Sequence, residues 1–358
     1  MRARELGIKI GDLGPGPLDA ITDVAGVRVG HTTLMEGESV RTGVTIVFPH
    51  EGDPGSDPVF AGSHRLNGNG ELTGLEWVRE SGLLTTPVGI TNTFSVGVVR
   101  DAIAAAGIGD TYEFEWALPV VGETWDGFLN DIGGMHVKKE HVDEALAAAS
   151  GGPVGEGNVG GGTGMICHGF KGGIGTASRV VHEDAGGYTV GVLVQANHGG
   201  RRPFRVDGVP VGEAIGERIP LPGRAETARG GSIIVLVATD APLLPGQCDR
   251  LAQRAALGIG RVGGMGEHSS GDLILAFATG NRGLGALEQR PAQQVTVGLE
   301  AVAHAHVNVL FEAAIAATEE AILNALLAAE TMTGRAGNTA YGLDAEVLAE
   351  TLARVRPA

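Results

Sequence analysis

The sequence predicts an α+β fold, a single domain of two sheets covered by helices. Ile233-Ile234-Val235-Leu236-Val237 is an unbroken aliphatic run, the mark of a strand buried on both faces. Strand-like and helix-like stretches mix along all 358 residues with no clean linker. Toward the C-terminus Val307, Leu310, Phe311, Ala314, Ile315, Ile322, Ala325, Leu326 and Ala329 fall at helical steps, as helices covering a sheet require.

Taken in order, the chain opens with a Pro/Gly turn at 14–17. Val27 and Val29 alternate as in a half-buried strand, and 42–48 reads as a second strand stopped by Pro49, so the two form a hairpin. Leu72, Leu75 and Val78 take helical spacing with Gly82 as the stop. Residues 87–91 make a short strand, and Ser95 caps a helix from Val96 to Ala106 that ends at Gly107. A short strand within 116–131 leads into a polar loop holding Glu123, Thr124, Trp125, Asp126 and Asp131. Val142 to Ala149 is a short helix, and the glycine tract at 151–164 reads as a flexible loop. Residues 188–197 form a strand ending in an amide, Asn197. Past the central run, Pro245 starts a helix that ends at Gly258, and Asp272 to Thr279 is another apolar strand.

Composition narrows the function classes. With 43% hydrophobic and 19% charged residues the chain is globular. Its 60 glycines lack a G-x-y period, which excludes collagen and points to many tight turns and close backbone approaches. A net charge of −16 argues against a nucleic-acid partner. Cys167 and Cys248 indicate neither a disulfide framework nor a zinc site. No secretory signal and no membrane-length apolar run is apparent, so a cytoplasmic protein is expected.

Two motifs fail on context. Gly155-Glu156-Gly157-Asn158-Val159-Gly160 spells G-x-G-x-x-G, yet a helix precedes it and more glycine follows, so it is not a dinucleotide fingerprint. His64, His168, His182, His198, His268, His304 and His306 never assemble as H-E-x-x-H, and neither a metal nor a cofactor is expected.

The chemistry gathers at strand ends. Arg229-Gly230-Gly231 leads into Ser232, a hydroxyl at the mouth of the central strand. As a bare pattern Gly-Gly-Ser is commonly no more than a turn. A serine so placed can also add to the Gly231 carbonyl, converting amide to ester, and water then frees a chain beginning at Ser232. The released α-amine, titrating near ~7.7–8.0, is a general base beside the hydroxyl. Ser270 and Asp272 at another strand start supply an orienting hydroxyl and carboxylate. Asn197 offers an amide donor for an oxyanion, and Glu123 an anion for a substrate ammonium.

These residues lie in motifs that resemble the DmpA-type aminopeptidases, the L-aminopeptidase/D-amidase-esterases and β-aminopeptidases that share a fold with ornithine acetyltransferases. The resemblance runs through Leu66-Asn67-Gly68-Asn69-Gly70-Glu71, Pro119 to Gly127, Val194 to Asn197, Gly231 to Val235, Ala238 to Leu243 and Ser270-Gly271-Asp272. It implies a four-layer αββα sandwich and self-cleavage between Gly231 and Ser232, giving an α chain 1–231 and a β chain 232–358. Ser232 would be the nucleophile, Asn197 the oxyanion donor, Ser270 and Asp272 the activating pair, and Glu123 the ammonium site, with Trp125 beside the substrate. Some members carry Glu where Asp272 stands and Tyr where Trp125 stands. The implied function is hydrolysis of small peptides, amides or esters through an acyl-enzyme, in a homo-oligomer without membrane or nucleic-acid partners. Two alternatives stay open, an acyltransferase of the ornithine type and an uncleaved binding protein.

Overall fold

The computed structural model describes residues 1–107, 117–223, 231–284 and 296–355. Arg229 and Gly230 lie outside the described residues.

The strands are β1 (Arg28–Glu36), β2 (Val40–Phe48), β3 (Val59–Gly68), β4 (Leu83–Leu84), β5 (Val88–Asn92), β6 (Val120–Thr124), β7 (Ile166–Cys167), β8 (Phe170–Lys171), β9 (Gly173–Val180), β10 (Thr189–Asn197), β11 (Ser232–Thr239), β12 (Gly271–Ala278), β13 (Met332–Thr333) and β14 (Thr339–Ala340). The α-helices are α1 (Leu75–Ser81), α2 (Val96–Gly107), α3 (Lys139–Ala147), α4 (Val211–Ile215), α5 (Pro245–Arg261), α6 (Val307–Ala328) and α7 (Ala345–Val355).

Two sheets stack face to face. One has four strands in the order β1-β2-β5-β6, the other six in the order β4-β3-β12-β11-β10-β9. The side chains sort into three principal cores that define four layers. Val44, Ile46 and Val121 pack with Val99 and Ile103 of α2 and Val142 of α3, so these helices cover the smaller sheet. Val47, Val88, Ile90 and Val120 meet Leu193, Ile234, Leu236, Leu273 and Leu275 between the sheets. Ile233, Val235, Val237, Ile274 and Ala276 pack under α5 and α6 on the far side of the larger sheet. The αββα sandwich is therefore present, and β11 shows why its sequence is aliphatic at every step: odd residues face helices, even ones face the other sheet.

Several sequence expectations hold. β1 and β2 form the hairpin, with Arg28 opposite Phe48 and Glu36 opposite Val40. Gly82 closes α1 in the left-handed region at φ 74°.

Others change. Helix α5 runs past Gly258 to Arg261. Gly258 does not stop the helix; it lets α6 approach, since a Cβ there would sit 2.7 Å from the Ile315 carbonyl oxygen. The glycine tract is likewise packed rather than loose. Gly160–Gly162 forms a buried 3₁₀ turn, and a Cβ on Gly161 would come within 2.1 Å of Gln195 Oε1. The Ser95 hydroxyl makes no side-chain cap; it is buried without a partner, although the Val99 N–H does bond the Ser95 carbonyl.

The N-terminus is fastened to the larger sheet and α6 by buried charge. Arg179 and Glu320, both fully buried, pair at 2.5 Å, and Arg4 bridges Glu320 at 2.9 Å. Arg2 reaches Glu156 at 3.0 Å.

Candidate active site

The site is assembled where β10, β11 and β12 begin or end together. In the antiparallel ladder Ser232 is paired with Asn197, and in the parallel ladder it is paired with Gly271, which lies between Ser270 and Asp272. Ser232, Asn197, Ser270 and Asp272 are therefore neighbours by strand register, and all four are buried.

Ser232 leads the central strand, so its backbone is held on both sides. Its hydroxyl donates to the Gly231 carbonyl oxygen at 2.7 Å, the oxygen of the peptide bond that joins the two residues. The Gly271 N–H points at the same place, 3.2 Å from the Gly231 oxygen and 3.3 Å from Ser232 Oγ. Gly231 has little room: a Cβ there would stand 2.8 Å from His198 Cα and 2.9 Å from the Asn197 carbonyl oxygen.

Asn197 is locked at both ends of its amide. Its Oδ1 accepts from the Ile166 N–H at 2.7 Å, and its Nδ2 donates to the Trp125 carbonyl oxygen at 3.0 Å. The orientation is thereby fixed with oxygen toward β7, and a second hydrogen on Nδ2 remains for another acceptor.

Ser270 Oγ donates to Asp272 Oδ1 at 2.5 Å. Burial pushes the Asp272 carboxyl up to about 6, against the Ser270 and Ile233 hydrogen bonds that favour its charge, with Glu267 raising it further. Asn67 holds the segment by donating to the carbonyl oxygens of Glu267, at 2.9 Å, and Ser270. Among the described residues the Ser232 hydroxyl is not bonded to this pair; it is engaged with Gly231.

Glu123 departs from expectation. It lies within β6, opposite Thr91 of β5, and is 3% exposed, not in a polar loop. Its neighbour Gly122 has no room for a side chain, because a Cβ there would touch Ile234 of the other sheet at 3.0 Å. Glu123 accepts from the Glu71 N–H at 3.0 Å and from the Thr93 hydroxyl. Burial raises its carboxyl above the usual range, and the Thr93 and Glu71 N–H bonds partly offset that. Gly70 lies between it and the start of β12, since a Cβ there would lie 3.0 Å from Glu123 Oε1 and 3.1 Å from Gly271 Cα. Trp125 is 42% exposed beside these buried groups.

Sequence reasoning missed three contributors. The Gly271 N–H has no side-chain signature. Thr93 and Asn67 are ordinary polar residues whose importance comes from tertiary pairing. The histidines also need correction: the fold brings His168 and His198 together with Cys167, all buried, although they are spread over 31 residues. Cavities of about 520 Å³ and 490 Å³ lie elsewhere, the larger lined by Met35, Arg41, Glu156 and Met332, the smaller by Arg201, Glu213 and Leu221.

Comparison with known proteins bears on this arrangement. The model of peptidase family S58 matches residues 19–340. The beta-peptidyl aminopeptidase BapA of Sphingosinicella microcystinivorans is 48% identical, over 99% of this chain and 92% of its own. A beta-aminopeptidase from Burkholderia sp. superposes with a TM-score of 0.93 at 55% identity, covering 100% of both chains. The L-aminopeptidase D-Ala-esterase/amidase of Ochrobactrum anthropi, described as a variant of the Ntn hydrolase fold, superposes with a TM-score of 0.88 at 43% identity over 99% of this chain and 98% of that one.

Proposed function

The chain belongs to peptidase family S58, and from that premise we propose that it cuts itself between Gly231 and Ser232 and then uses the freed Ser232 as its nucleophile. The protein is a self-processing aminopeptidase and amidase acting on small peptides or amides.

One observation carries the proposal: the Ser232 hydroxyl already donates to the carbonyl oxygen of the bond to be cut, at 2.7 Å, with the Gly271 N–H behind it. As Ser232 Oγ attacks the Gly231 carbonyl carbon, the Gly271 N–H stabilises charge developing on that oxygen. The C–N bond breaks, the Ser232 nitrogen takes up a proton, and an ester joins Gly231 to Oγ. Water hydrolyses the ester, leaving the Gly231 carboxylate and a Ser232 that bears both a free amine and a free hydroxyl.

In the mature enzyme the α-amine, with an ordinary pKa of ~7.7–8.0, takes the hydroxyl proton. Ser270 and Asp272 hold charge balance next to Gly271, and the spare N–H of Asn197 Nδ2 faces the oxyanion of the tetrahedral intermediate. Glu123 receives the substrate ammonium. Acylation releases the amine product, and water frees the acid.

The proposed substrates carry an N-terminal β-amino acid. The two relatives named for β-peptides share 48% and 55% identity with this chain, against 43% for the L-aminopeptidase. A β-alanine anilide is then turned over with higher kcat/KM than the L-alanine anilide; the reverse order would discard the β preference. A homo-oligomer remains the expectation for assembly, to be read by light scattering. Among the described residues no helix is long and apolar enough to cross a membrane.

Intact mass under denaturing conditions tests the central step. Wild type is expected as two chains, the smaller beginning at Ser232, and Ser232→Ala as one chain of 358 residues. A single chain from freshly expressed wild type would return Ser232 to an ordinary turn residue.

A further inference from the structure

Cys167 ends β7, His168 follows it, and His198 follows the last residue of β10. The hydrogen bond from the His168 N–H to the His198 carbonyl oxygen, 2.7 Å, sets the two histidines side by side. Their rings meet edge to face with centroids 5.0 Å apart. All three side chains are buried, with relative exposures of 0%, 0% and 2%.

Buried histidines usually have both ring nitrogens occupied. Here the Nε2 atoms of His168 and His198 are both enclosed without a partner. His168 Nδ1 donates to the Gly200 carbonyl oxygen at 3.0 Å. In a neutral ring that bond leaves Nε2 as a bare lone pair, the arrangement by which a backbone carbonyl orients a metal-binding imidazole.

The third donor has matching geometry. Cys167 Sγ lies 3.6 Å from His198 Nδ1. With Zn–S near ~2.3 Å and Zn–N near ~2.0–2.1 Å, tetrahedral angles put sulfur and nitrogen ~3.6 Å apart. One donor atom from each of the three residues lies within 4.8 Å of the other two, so a bound ion would draw the His168 ring inward. Arg201, whose Nε donates to the His168 carbonyl oxygen at 3.2 Å, opposes a cation here, and the nearby Glu267 charge favours one.

We propose that Cys167, His168 and His198 form a three-donor site for a thiophilic divalent cation of the Zn²⁺ type, with the fourth position left to water. Binding transfers the Cys167 thiol proton to solvent and leaves sulfur as thiolate. The ion would tie β7 to the end of β10. The Ile166 N–H that holds Asn197 Oδ1 belongs to this same β7, so the site would stiffen the support of that amide.

Co²⁺ added to the purified full-length protein is the probe, because a thiolate ligand gives it an intense near-ultraviolet charge-transfer band. The expected result is such a band saturating at one ion per chain, displaced by Zn²⁺ and lost in Cys167→Ala. His168→Asn, chosen because asparagine tolerates the left-handed backbone that His168 adopts at φ 50°, should lose tight binding while remaining folded. No charge-transfer band in the wild-type protein, or one that survives in Cys167→Ala, would overturn the proposal.

Discussion

Asn197 and Ser232 face each other across the last rung of an antiparallel ladder, so the amide and the hydroxyl are positioned by the same pair of central strands. Rigid elements hold site geometry better than loops do, and the reading of Asn197 as the oxyanion donor rests on that.

Asn197→Ala is expected to lower kcat by roughly 10²–10³, the usual loss for one oxyanion donor. Far-ultraviolet circular dichroism should be unchanged. Near-normal turnover by a folded variant would remove Asn197 from the oxyanion site.

Glu123→Gln keeps the shape of the side chain and removes its charge. Substrates with a free amine should lose kcat/KM strongly, and N-blocked esters little. Because burial raises the Glu123 carboxyl, discrimination in favour of the free amine should also fade as pH drops through that raised value. Equal losses on both substrate types would exclude an ammonium-binding role.

Asp272 is expected to set an acid limb. Its carboxyl titrates at about 6, and only the ionised form is purely an acceptor for the Ser270 hydroxyl. Activity should therefore rise with pH through about 6, and Asp272→Asn should flatten that limb. The stability effect has the opposite sign. Between the ordinary 3.8 and about 6 the folded protein keeps a proton that the unfolded chain releases, so this group's contribution falls as pH rises through that window. Urea midpoints of wild type and Asp272→Asn across that range measure it; identical slopes would refute the assignment.

Arg179→Leu should cost about 3–5 kcal/mol, because it leaves Glu320 in a fully buried position with less of its counter-charge. Adding Glu320→Leu should recover most of the loss. Urea unfolding of the two variants decides this, and a double variant no more stable than the single one would count against it.

Residues buried on two faces were the most legible in the sequence. β11 declares itself because helices press on one side and a sheet on the other, leaving no position for a polar residue from Ile233 to Ala238, between Ser232 and Thr239. Glu123 was harder to place, since Gly122 and Glu123 themselves disfavour a strand. It lies in a strand because β5 pairs alongside it, and Gly122 leaves room there for Ile234. Gly258 and the tract around Gly161 misled for a related reason: sequence shows a missing side chain but not the neighbour that takes its space. The Cys167, His168 and His198 cluster has no complete local spacing, because His198 joins the adjacent Cys167-His168 pair only through the hydrogen bond between the end of β7 and the end of β10.

The order β3-β12-β11-β10 has a consequence for the two pieces that a cut before Ser232 would make. β12 and β11 come from the C-terminal piece and are inserted between β3 and β10 of the N-terminal one, with a ladder on each flank. Neither piece can leave by sliding off an edge; parting them means tearing open the middle of a sheet. Fragments from two differently labelled molecules should therefore never trade places while native, so each processed enzyme would keep for life the partner it was translated with.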